Sequence, residues 1–211
     1  MGGMDKLSRF GKLLSFVRYT GRLKAVYRQV HVEDQSRKET AAEHSWQVAL
    51  TACLLWEYAK EDLDYLRVLV MLLVHDLVEI ECGDTFVYDA EAMQSKRERE
   101  LAAADVVFGH LPPPQSGWFR ELWEEFEARQ TPEARFANAL DRMLPMFQNF
   151  WAGGGAWQDH GVTADKVLRQ NRIIADGSLE LWEQARAMVM EAVQRGYLQP
   201  GSDYEQELTS G

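Results

Sequence analysis

At 211 residues, with 46% hydrophobic side chains and seven tryptophans, the chain is long enough to bury roughly 70% of its unfolded surface without staples. Its net charge of -10, from 33 acidic against 23 basic residues, excludes counterion release as the drive for tight binding to a nucleic-acid polymer. No stretch approaches the ~18 apolar residues of a membrane span, and Met1 to Lys12 lacks the apolar run of a signal peptide. Cys53 and Cys82 fall in apolar helical stretches and read as packing residues of a reducing compartment. A cytoplasmic protein is expected.

Apolar residues recur at helical spacing almost throughout. A first helix is expected over about 4–17, with Tyr19-Thr20-Gly21 as a break and a short helix beyond. Residues 31–39 are polar and aperiodic, which predicts a loop. Thr40-Ala41-Ala42-Glu43 is a T-x-x-E capping box opening a helix over about 41–59. Asp62 is the expected cap of a helix that is apolar nearly all round and ends at Gly83. Residues 91–108 predict an exposed, charge-rich helix stopped by Pro112-Pro113-Pro114, followed by another over 116–129. Thr131-Pro132-Glu133 combines a cap, a first-turn proline and a dipole-matched acid. Its helix should run to the break Gly153-Gly154-Gly155. Thr163 and Ser178 head two more helices, and residues 201–211 are expected to fray. These elements imply a single helical domain over 1–200.

The informative segment is His75-Asp76-Leu77-Val78-Glu79-Ile80-Glu81-Cys82-Gly83-Asp84. A histidine beside an aspartate inside an apolar helix is costly unless compensated, and a divalent cation turns that carboxylate into an asset. Imidazole with carboxylate suits manganese, iron, cobalt or zinc. His75 and Glu79 stand four apart on one helical face. A backbone-satisfied histidine paired with Asp76 is the bland alternative. His44, on the capped helix, and Asp141, in Asn138-Ala139-Leu140-Asp141-Arg142, are two further polar residues at such positions. Asp84 follows a helix-ending glycine. Taken singly, His44 reads as a helix-start residue, Asp141 as an ion pair with Arg142 or Arg135, and Asp84 as a turn former. Lys96 is placed to reach a phosphate or, the reading preferred, to pair i,i+4 with Glu100 on its own helix.

The order His44, His75-Asp76, Asp141 resembles the HD-domain superfamily of metal-dependent phosphohydrolases. Ala42-Glu43-His44-Ser45-Trp46, His75-Asp76-x-x-Glu79, Gly83-Asp84-Thr85 and Leu140-Asp141-Arg142 resemble the branch containing bacterial 5'-deoxynucleotidases. The resemblance covers about residues 5–195. It implies an all-α, compact bundle of about eight or nine helices, often a homodimer. It implies one divalent cation per chain (manganese, cobalt, iron, zinc or magnesium) held by His44, His75, Asp76 and Asp141. Glu79 and Asp84 would be the catalytic residues, Glu79 taking the proton of the attacking water and Asp84 standing behind the metal ligands or binding the sugar hydroxyl. Arg28 would match the branch's phosphate-binding arginine. Arg37 and Lys38 are added as substrate-binding residues because they closely precede His44. The sequence departs from the branch at Arg28-Gln29-Val30, where an R-T-G is usual.

The reaction so implied is hydrolysis of a small phosphomonoester, foremost a nucleoside 5'-monophosphate, by metal-activated water. A nucleotide-binding regulatory scaffold is one alternative, and a phosphodiesterase acting on cyclic or oligomeric nucleotides is another.

Overall fold

The computed structural model describes residues 8–209. Ser8 caps α1 (Arg9–Thr20), accepting from the Gly11 amide; the earlier part of the expected first helix lies outside the described residues. The expected break at Tyr19 moves to Gly21, and the Tyr19 hydroxyl donates to Glu81 Oε1 at 2.7 Å. A 3-10 turn over Gly21–Ala25 leads to an antiparallel hairpin, β1 (Tyr27–His31) with β2 (Lys38–Thr40). Tyr27 pairs with Thr40 and His31 with Lys38, with an irregularity between. Residues 31–39, expected as a loop, thus contribute a strand. So short a ribbon is held by backbone hydrogen bonds and leaves no apolar alternation to read.

Both halves of the capping box form at the head of α2 (Ala41–Leu55): the Glu43 amide donates to Thr40 Oγ1 at 3.2 Å and the Thr40 amide to Glu43 Oε2 at 3.0 Å. Asp64, not Asp62, caps α3 (Tyr65–Val74) by accepting from the Arg67 amide. The winding then tightens into a 3-10 turn over His75–Val78 before α4 (Glu79–Cys82). Gly83, at φ 74°, ends α4 with its amide on the Glu79 carbonyl, a left-handed position suited to glycine.

After α5 (Ala90–Gln94) comes α6 (Lys96–Gly109). Expected to be exposed, α6 instead buries Ala103, Ala104, Val107 and Phe108. These lie on one helical stripe and pack with Val78, Ile80 and Trp123. Following α7 (Gln115–Ala128), the Thr131-Pro132 start opens the 20-residue α8 (Pro132–Trp151), with Thr131 accepting from the Ala134 amide. Gly153, Gly154 and Gly155 all take positive φ and turn the chain into α9 (Gly155–Asp159). Then follow α10 (Ala164–Asn171), α11 (Ile174–Gly177) and α12 (Leu179–Gln194), the last capped by Ser178. The segment expected to fray carries α13 (Tyr204–Thr209). Arg169 ties it down, donating to Asp203 and Glu207 at 2.8 Å each.

The architecture is all-α, with α8 at its centre against α2, α3, α7, α11 and α12. One apolar cluster joins α2, α3, α8, α10 and α12; a second joins α1, the 75–82 segment, α6 and α7. His75 and Asp76 sit where the two clusters meet, since Leu72 belongs to the first and Val74 and Leu77 to the second. No helix among the described residues is long and apolar enough to cross a membrane.

Candidate metal centre

The capping box sets where α2 begins, so His44 enters the interior in the first turn with no exposed surface. Its Nε2 lies 2.9 Å from Asp141 Oδ1 on α8. His75, in the 3-10 turn, donates from Nδ1 to the Leu72 carbonyl at 2.7 Å. That bond makes Nδ1 the donor, so the neutral imidazole presents its Nε2 lone pair inward. His75 Nε2 stands 3.5 Å from Asp141 Oδ1 and 3.1 Å from Asp76 Oδ1, and it is buried without a hydrogen-bond partner. One ligand atom each from His44, His75 and Asp141 fall within 4.8 Å of one another.

Asp76 borders this trio and is tied elsewhere by its second oxygen. Arg28 Nη1 donates to Asp76 Oδ2 at 3.0 Å, and Arg28 Nε lies 3.8 Å from Glu39 Oε2. Glu39 is buried to 2% exposure. It accepts from Gln148 at 2.8 Å and places Oε2 3.7 Å from His44 Nδ1. Glu39 and Gln148 therefore back the histidine, and sequence reasoning missed both. The only trace of Glu39 is a charged residue in the three-residue stretch before the capping box.

The carboxyl groups respond to this crowding. Burial alone would raise Asp141, but the His44 and His75 imidazoles outweigh it and hold Asp141 well below the usual carboxylate range. Burial would lower His75, yet the negative charges of Asp76 and Asp141 push it up to about 9. Burial, followed by the charges of Asp76 and Asp84, raises Glu79 well above a normal glutamate. Asp84 is raised as well, by burial opposed by Arg28. Burial opposes the Arg28 charge, but Asp76, Asp84 and Glu79 more than compensate and raise its pKa.

A cleft opens beside these groups, lined by Arg28, His75, Asp76, Glu79, Asp84 and Asp141 among others. It takes in most of the residues singled out from sequence, but not all. Arg37 is exposed and grips Glu43, with Nη2 2.6 Å from Oε1 and Nη1 2.8 Å from Oε2; it does not line the cleft. Lys38 donates to Gln29 at 2.6 Å and does not line it either. Lys96, read as the partner of Glu100, makes that ion pair at 3.2 Å and also lines the cleft.

The chain as a whole is similar to known proteins. The model of the HD domain family matches residues 20–182, and the chain belongs to that family. A Xenopus laevis protein named 5'-deoxynucleotidase HDDC2 is 34% identical over 150 residues, covering 70% of this chain and 73% of the relative. The Homo sapiens protein of the same name is 33% identical over 138 residues, covering 64% and 66%. A crystal structure from Magnetospirillum magnetotacticum MS-1, described as a predicted metal-dependent phosphohydrolase, superposes with a TM-score of 0.87. It shares 49% identity and covers 92% of this chain and all of its own.

Proposed function

We propose that the chain is a metal-dependent phosphohydrolase that cleaves nucleoside 5'-monophosphates to nucleoside and phosphate. The observation that carries this reading is the convergence of His44, His75 and Asp141 within 4.8 Å, with His75 Nε2 buried and unpartnered. Two imidazoles and a carboxylate suit a divalent first-row cation. In this reading one cation per chain is held by those three residues and Asp76. Such a cation supplies positive charge at a phosphoryl oxygen and acidifies water.

The remaining residues supply the proton handling and positioning. Glu79 lines the cleft with Oε2 buried and unpartnered, and its raised pKa suits a group that takes a proton from water and returns it. It accepts the proton of the attacking water and delivers one to the departing 5'-oxygen. Asp84, on the same cleft, accepts from the sugar hydroxyl. Arg28 spends Nη1 on Asp76, fixing that carboxylate, and offers its remaining donors to a phosphate oxygen. Trp46, Leu50 and Leu54 recur every fourth residue on α2 and are all exposed; this stripe is the surface on which a homodimer would form.

Elemental analysis together with hydrolysis of a nucleoside 5'-monophosphate tests the reading. The purified protein should carry one divalent ion per chain, and His75→Ala or Asp141→Ala should abolish both metal and turnover. Undiminished metal in both variants would sink the assignment.

A further inference from the structure

The cleft is lined by three arginines, Arg28, Arg129 and Arg142, and the last feels the charges of Asp141 and Glu127 without an acid in ion-pair contact among the described residues. Arg142 follows Asp141 on α8, is half-buried and lines the cleft. Its Nε is buried without a hydrogen-bond partner, and Arg142 makes no ion pair among the described residues. The other cations on the cleft differ: Arg28 gives Nη1 to Asp76 and approaches Glu39, Lys96 pairs with Glu100, and Arg129 is exposed at the end of α7. Asp141, the carboxylate beside it in sequence, is turned to the two imidazoles instead.

A guanidinium withdrawn from water without a counterion is costly, and such groups are retained where a partner arrives from outside. The required partner is anionic. A base carbonyl or sugar hydroxyl offers only a dipole, whereas a phosphate dianion matches the planar fork in charge and geometry. A cation bound at Asp141 would further neutralise the nearest acid and leave the Arg142 charge to the substrate. The position agrees. Asn138, Asp141, Arg142, Pro145, Met146 and Asn149 all line the cleft, and their spacing makes one stripe along α8. Arg142 thus shares a wall with the Asp141 ligand, while Arg28 comes from the hairpin.

We propose that Arg142 binds the substrate's phosphate group, gripping it from α8 while Arg28 holds it from β1. The inference rests on the phosphomonoesterase reading, and the test separates the two. Wild type, Arg142→Gln and Arg142→Lys are compared in hydrolysis of a nucleoside 5'-monophosphate, in calorimetric binding of inorganic phosphate to the metal-loaded protein, and in inhibition by the free nucleoside. Circular dichroism and metal content check that each variant is folded and loaded. Arg142→Gln should weaken phosphate binding and raise KM by roughly 10- to 100-fold, the loss of a charge-assisted contact. Nucleoside inhibition should stay unchanged. Arg142→Lys should fall between, keeping the charge and losing the fork, and it carries the test alone if the glutamine variant does not fold. Unchanged phosphate affinity in a folded variant overturns the role of Arg142. So does a loss confined to the nucleoside. A wild type that neither hydrolyses the monophosphate nor binds phosphate overturns the underlying reading.

Discussion

Arg28 reaches from the hairpin to Asp76, its Nη1 donating to Oδ2 at 3.0 Å, so one residue ties the cleft wall to a proposed metal ligand. Partners that orient a ligand are worth on the order of 10- to 100-fold in metal affinity. Arg28→Ala should therefore loosen the metal by about that factor as well as slow turnover. Titration against a competing chelator measures it, and wild-type affinity in the variant would confine Arg28 to substrate contact.

Glu79→Gln removes the proposed proton carrier and leaves His44, His75 and Asp141 in place. The variant should keep its metal and lose on the order of 10²-fold or more in kcat. If elemental analysis finds the metal gone, Glu79 is itself a ligand and the proton transfer must be assigned elsewhere.

Arginine contacts favour a phosphate bearing two charges, and they strengthen as charge builds on the transferring group. A nucleoside 5'-monophosphate should accordingly show a higher kcat/KM than a cyclic mononucleotide, whose diester carries one charge fewer. Faster cleavage of the cyclic ester in the same assay would replace the monoesterase with a diesterase.

Glu43 gives the fold an acid-sensitive joint. Its bonds from Arg37, then from the Thr40 amide, hold its carboxyl at about 2 against an ordinary 4.5. A depressed folded-state value means the stabilisation is complete above 4.5 and is lost as pH falls towards 2. Glu43→Gln should thus lower Tm at pH 7 and lose less of it than wild type between pH 4.5 and 2. The side chain is 45% exposed, so solvent screening keeps the effect small. Glutamine can still accept from the Thr40 amide, so the loss is that of the charged contacts with Arg37 and should stay below about 1 kcal/mol. Parallel acid limbs in thermal melts of the two proteins would refute the assignment.

The parts legible in the sequence are those where chemistry conflicts with its local surroundings. His75-Asp76 is readable because it interrupts an apolar run, and Thr40-Glu43 because a capping box has a fixed spacing that the structure realises in both directions. The hairpin was not legible, since β2 has three residues and buries a glutamate where a strand pattern would show an apolar side chain. Arg37 was chosen for its nearness to His44 along the chain, yet its guanidinium is captured by Glu43 six residues on. Arg142 illustrates the converse: sequence adjacency suggested an ion pair with Asp141, and only the fold reveals that Asp141 faces two histidines from elsewhere. Local periodicity carries no information about which distant side chain claims a charge first.

His44 and Asp141 meet across 97 positions of chain, and His75 joins them from a third segment. Contacts of such separation form only after the intervening loops have closed, which makes them late and mutually dependent. The proposed coordination sphere is therefore absent from the unfolded chain and from any one of its helices. A cation that binds only the assembled state raises stability in proportion to the logarithm of its concentration over Kd. The midpoint of thermal unfolding should climb with added metal and fall back with chelator. A midpoint indifferent to both would mean that no cation binds the folded chain in preference to the unfolded one.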